Sequence, residues 1–140
     1  QGFFGRFDQS SLQRGFQVYR EVCSGCHGVR HVSYRDLTAL GYSNDEIKSI
    51  ASEYEIEDGP NDDGDMFTRF ARPSDKFVGP YLNKKEARAA NNGAYPPDLS
   101  LIVKARPDGA NYLHALLTGY VDAPAEKKVP DGMYYNKYYS

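Results

Sequence analysis

Apolar positions in this chain fall into short helical stripes separated by long polar stretches. Leu12, Phe16, Tyr19 and Val22 recur at helical spacing and predict a first helix. It begins near Ser10, where Ser10 and Gln13 form a candidate capping box, and runs into Cys23. Gln1 to Phe7 reads as an extended lead-in. Ser33 with Asp36 predicts a short helix ending at Gly41. Ser43 with Glu46 predicts another, carrying Ile47, Ile50, Ala51 and Tyr54 on one face. Residues 57–81, rich in Gly, Pro and charge, read as loop. Asn83 to Ala90 reads as a helix with Asn83 as cap, Glu86 as its box partner and Gly93 as stop. Ala94-Tyr95-Pro96-Pro97 is a rigid bend, since each Pro fixes its own φ and restricts the residue before it. A helix is expected from Asp98, with Leu99, Ile102 and Val103 on one side, broken at Pro107-Asp108-Gly109. The last runs from Asn111 to Thr118. The pattern predicts an all-α chain of short helices and long loops, with little strand signal.

Composition bounds the reading. A chain of 140 residues fits one domain. Its hydrophobic content is 40% and its mean hydropathy −0.67, polar for a globular domain, so a large apolar cofactor would supply part of the core. The longest apolar stretches, such as Leu99 to Val103, are too short to span a bilayer. A net charge of −2 argues against a nucleic-acid partner. The charge is unevenly placed: Glu53, Glu55, Glu57, Asp58, Asp62, Asp63 and Asp65 lie between Ser52 and Asp65 with no Lys or Arg among them. That stretch reads either as a solvated loop or as an acidic surface that steers a basic partner.

The chemistry sits at Cys23-Ser24-Gly25-Cys26-His27, a C-x-x-C-H sequence, the attachment signature of haem c. Two Cys three residues apart reach the two vinyl groups of one porphyrin, and the adjacent His supplies an axial nitrogen to the iron. Gly25 and Gly28 are expected to leave room for the macrocycle. A dithiol redox site would sit in a βαβ pattern, which is missing here. A structural zinc needs four ligands, and the chain has no second Cys pair. His31 would share a helical face with His27, and His114 sits in an apolar helix, where a packed or surface role suits it better than ligation. Met66 and Met133 have no spacing that selects either for the other side of the iron. The residues alone leave the sixth ligand undetermined.

These residues, taken with others, resemble cytochrome c1, the haem subunit of the quinol–cytochrome c oxidoreductase (bc1) complex. The likeness is carried by Arg14-Gly15-Phe16-Gln17-Val18-Tyr19 before the Cys pair and by Asp58-Gly59-Pro60-Asn61. More specific are Ala87 to Ala94, Pro96-Pro97-Asp98-Leu99-Ser100, Ala105-Arg106 and Leu116-Leu117-Thr118-Gly119-Tyr120. The resemblance implies a cytochrome c-like fold around one covalent haem c, with Cys23 and Cys26 forming the thioethers and His27 the proximal ligand. It implies that Pro97 lies in the loop packed on the proximal side, where a backbone carbonyl orients the His. Arg106 matches an Arg near the haem propionates, and Tyr112 a Tyr of the same region.

The resemblance also implies a role and a setting. The subunit takes one electron from a Rieske iron–sulfur centre and passes it to a soluble cytochrome c, beside cytochrome b. It is a redox relay within an enzyme rather than a catalyst itself. Its place is the periplasmic side of a bacterial inner membrane, or the mitochondrial inner membrane facing the intermembrane space. The family's distal Met lies a little beyond the stretch that Tyr134 to Tyr138 resembles, and the sequence stops at Ser140, before it. Residues 1–140 are therefore expected to form a haem domain incomplete at its C-terminal end, matching the first two-thirds of the subunit. The membrane anchor would lie in a segment absent from this chain. The alternative is a freestanding soluble c-type cytochrome that diffuses between partners.

Overall fold

In the computed structural model, residues 5–139 are described. The lead-in expected at Gln1 to Phe7 falls partly outside them. The chain forms two compact units, one spanning Arg6–Ser100 and the other formed from Leu101 onward.

The first unit opens with α1 (Gln9–Glu21). Its N-cap is Asp8, whose carboxylate accepts from the Ser11 backbone N–H at 2.9 Å and from both the Ser10 and Ser11 hydroxyls. The expected box at Ser10 and Gln13 does not form, because Asp8 is the cap and Ser10 lies inside the first turn, its hydroxyl donating to Asp8. Phe16 is the buried residue of α1, packed edge-on against Tyr42 and Phe77 with ring centroids 5.7 and 6.0 Å apart. Val22 leaves helical geometry, and Cys23–Gly25 follows as a tight 3-10 turn.

Two boxes form as the sequence predicts. Ser33 and Asp36 cap a 3-10 helix, Tyr34–Leu40, which ends at Gly41. Gly41 has φ +87°, a conformation that glycine adopts without Cβ strain. Ser43 and Glu46 cap α2 (Asn44–Ala51), which buries Ile47, Ile50 and Ala51. These residues join Phe16, Tyr34, Leu37, Ala71 and Phe77 in one core.

The stretch expected as loop contains a hairpin instead. β1 (Glu55–Asp58) pairs antiparallel with β2 (Phe67–Phe70), Glu55 opposite Phe70 and Asp58 opposite Phe67. Its strands are mostly exposed and charged, so no apolar alternation announces them. An ion-pair bridge supports the hairpin: the Arg69 guanidinium binds Asp58 on the facing strand and Asp75 beyond β2, the latter at 2.7 Å. Farther on, α3 (Lys84–Ala90) is capped by Asn83, whose Oδ1 accepts from the Lys85 and Glu86 N–H groups. Glu86 reaches back one residue further than expected, to the Leu82 N–H at 2.7 Å.

No helix starts at Asp98. The Leu99 N–H donates to the Gly28 carbonyl at 2.8 Å, tying this segment to the residues after the Cys pair. In the second unit, α4 is only Ile102–Ala105, and α5 (Gly109–Leu117) begins two residues earlier than the sequence suggested. The segment after α5 folds back on it. Buried Asn136 donates from Nδ2 to the Leu116 carbonyl at 2.7 Å, and Tyr120 bridges to Asn136. Five α-helices, two 3-10 segments and one small hairpin make the regular structure of the described residues mostly helical, with the hairpin as the departure from an all-α chain. No helix among them is long and apolar enough to cross a membrane.

Candidate functional site

The Cys pair lies on a turn closed by its own backbone. The Cys23 carbonyl accepts from the Cys26 N–H at 3.1 Å and from the His27 N–H at 2.8 Å. One carbonyl thus fixes the spacing of both thiols and the imidazole. Cys23 is half-buried and Cys26 exposed, and no disulfide joins them. Among the described residues no group of three His, Cys, Asp or Glu comes together as a metal cluster.

His27 is held from both ends. Its Nδ1 lies 2.8 Å from the Pro97 carbonyl oxygen, 70 residues along the chain. A carbonyl only accepts, so this contact puts the ring proton on Nδ1 and the lone pair on Nε2, the tautomer that binds a metal. The His27 carbonyl in turn accepts from the Tyr19 hydroxyl at 3.2 Å. Burial, followed by the neighbouring Tyr54, Asp98 and Cys23, pushes the Tyr19 phenol up to about 12.

The chain after His27 is laced to the segment after Pro97. The Leu99 N–H donates to Gly28, the Arg30 N–H to Asp98 Oδ2 at 2.9 Å, and the His31 N–H to Ser100 Oγ at 3.0 Å. Burial alone would raise the Asp98 carboxyl, but hydrogen bonds from Arg30 and Ser100 outweigh it and hold the group below its ordinary value. At Gly28 a Cβ would stand 3.3 Å from Asp98 Oδ2. Its lack of a side chain therefore admits Asp98 and Pro80, where the sequence suggested room for a cofactor. A Cβ at Gly25 would meet nothing within 4 Å.

Beside Cys26 opens a cleft of about 350 Å³, walled by Gly28, Pro80, Leu82, Ala87 and Tyr95. A larger one, about 590 Å³, runs along α1 by Arg14, Phe16, Tyr42 and Tyr54 and includes none of the C-x-x-C-H residues. Of the candidate site residues, Cys23, Cys26, His27 and Pro97 come together in the first unit, while Arg106 and Tyr112 belong to the second. Arg106 is exposed and its guanidinium turns back to the Ala105 carbonyl. His31 and His114 are both exposed, as are Met66 and Met133. Sequence reasoning missed Asp98 and Tyr19 as parts of the site. Asp98 read as a helix start, and no local pattern ties it to residues near position 30.

The sequence matches the Cytochrome C1 family over residues 1–140. This chain belongs to the cytochrome c1 family. It is 53% identical over 138 residues to "Cytochrome c1-2, heme protein, mitochondrial" of Solanum tuberosum, covering 99% of this chain and 53% of that protein. It is 59% identical over 126 residues to the cytochrome c1 of Rhodospirillum rubrum, covering 89% of this chain and 46% of that protein. It is 49% identical over 139 residues to "Cytochrome b-c1 complex catalytic subunit, mitochondrial" of Candida albicans, covering 99% of this chain and 48% of that protein. The chain thus spans about half the length of the curated relatives it matches, against the two-thirds expected. The Cys23–Cys26 pair is compatible with the covalent haem c of the cytochrome c1 family, and the His27 tautomer, with its lone pair on Nε2, fits the same group.

Proposed function

We propose that this chain is the haem-bearing part of a cytochrome c1-type electron-transfer subunit. The observation that carries the reading is the His27 imidazole on the Cys23–Cys26 turn, its Nδ1 committed to the Pro97 carbonyl at 2.8 Å. Cys23 and Cys26 would hold haem c through two thioethers, and His27 Nε2 would bind its iron. When bound, the haem supplies a one-electron iron couple. The protein's part is to hold the ring nitrogen in place, fix its tautomer and cover one face of the group. Arg106 and Tyr112 remain candidates for the propionate side on the resemblance alone, a guanidinium fork being suited to a carboxylate.

In the role proposed, one electron arrives from a Rieske iron–sulfur centre and leaves to a soluble cytochrome c. Cytochrome b is the neighbouring subunit, in a respiratory complex of the bacterial inner membrane, facing the periplasm, or of the mitochondrial inner membrane, facing the intermembrane space. The name of the Candida relative supports membership of such a complex, and that of the potato relative a mitochondrial haem protein. The 1–140 stretch serves as its haem domain.

Rapid mixing tests the role. Reduced, haem-loaded protein is mixed with oxidised soluble cytochrome c, and separately oxidised protein with a reduced Rieske fragment. Fast, second-order electron transfer in both arms is the expected result. Failure of either transfer, with a haem that cycles normally against small reagents, would overturn it.

A further inference from the structure

We infer that Asp98 is the positioning residue for the His27 imidazole, acting through the Pro97 carbonyl. The inference rests on the haem c reading above and concerns what holds the proximal nitrogen in place. Residues 27–31 and 97–100 run alongside each other, joined by the His27–Pro97, Leu99–Gly28, Arg30–Asp98 and His31–Ser100 hydrogen bonds. Asp98 occupies the centre of that lacing, directly after Pro97. Its two oxygens face opposite ways. Oδ2 accepts the Arg30 N–H of the histidine segment, and Oδ1 accepts the Ser100 N–H of its own segment, each at 2.9 Å.

Only a carboxylate serves both donors. An amide in its place would keep one acceptor and turn an N–H group toward another N–H. Both contacts are also charge-assisted, and so stronger than neutral ones. Gly28 completes the arrangement, since a Cβ there would stand 3.3 Å from Oδ2 and press on the contact. Fixing Asp98 fixes the direction of the preceding carbonyl, and that carbonyl sets how strongly the His27 Nδ1–H is held. A firmly held Nδ1–H makes Nε2 a more basic ligand, which favours the oxidised iron. Loosening Asp98 therefore raises the reduction potential.

The test uses the haem-loaded protein with Asp98→Asn and Asp98→Ala, and Asp58→Asn as a control that loosens the hairpin of the same unit. Covalent haem is confirmed first on denatured samples. Reduction potential and deuterium exchange of the His27 Nδ1–H, followed by proton NMR of the reduced form, are then measured. Asp98→Ala should shift the reduced-to-oxidised ratio at fixed poise on the order of tenfold. That is about 59 mV upward for a one-electron couple. Exchange should accelerate, Asp98→Asn should fall between wild type and Asp98→Ala, and Asp58→Asn should change neither quantity. Should Asp98→Ala fail to fold, Asp98→Asn alone decides. Covalent haem with unchanged potential and exchange in the Asp98 variants overturns this inference and leaves the haem reading standing. Equal shifts in Asp58→Asn reduce Asp98 to a general structural role and overturn it as well. Wild-type protein without covalent haem overturns both readings.

Discussion

At the scale of single residues, three histidines of one chemistry sit in three different settings. His27 is anchored by the Pro97 carbonyl beside two thiols, His31 has its ring against the Arg30 side chain, and His114 lies exposed on α5. Only the first combines a fixed tautomer with neighbouring thiols. His27→Ala should change the haem absorption spectrum drastically, whereas His31→Ala and His114→Ala should leave it unchanged. Absorption spectra of the three variants check this, and an equal effect at His114 would count against the assignment. The thiols and His27 were legible in the sequence because C-x-x-C-H is local: one turn carries all three. Asp98 was not legible, because its meaning lies in a contact with Arg30 across 68 residues. Pro97 entered through the family resemblance, and nothing in the residues around it points back to position 27.

Elements were readable where their caps are local. Ser33 with Asp36 and Ser43 with Glu46 each close within three residues, and both boxes form. The start of α1 was misplaced because Asp8, a stronger acceptor just upstream, takes the Ser11 N–H as the cap and leaves Ser10 inside the first turn. The hairpin was missed because charge rather than apolar alternation supports it. Arg69 donates to Asp75 and to Asp58, and these bonds hold both carboxyls below their ordinary values. A carboxyl that binds protons less readily when folded adds stability above its unfolded value, near pH ~3.9, and loses it as pH falls through the folded one. Arg69→Met should therefore lower the thermal midpoint at neutral pH, and the deficit should shrink as pH drops below about 4. Melting curves across that range check it; a deficit independent of pH would show that packing, not the ion pairs, supports the hairpin.

At the scale of the whole molecule, stability and charge occupy different regions. The core of the first unit centres on Tyr34 and Ile47, both almost fully buried. Ile47→Ala should cost about 2–5 kcal/mol in denaturant unfolding, and a loss well under 1 kcal/mol would show that the site collapses around the gap. The acidic stretch projects at the hairpin turn. The structure commits Asp58 to Arg69, so the uncompensated charge there is carried by the exposed Asp62, Asp63 and Asp65. Reversing these three to Lys should slow association with a basic soluble cytochrome c by about tenfold at low salt. The difference should fade as the Debye length falls toward about 8 Å. Unchanged rates and salt slope would leave the turn a solvated face.

The central claim is covalent attachment of one haem c through Cys23 and Cys26, and the intact mass of the denatured polypeptide tests it most directly. Wild-type protein, denatured and extracted with acid acetone, should keep the added mass of one haem, and the Cys23→Ser, Cys26→Ser double variant should run at the bare polypeptide mass. Wild-type protein at the bare mass, or a double variant that still carries haem through denaturation, would contradict it.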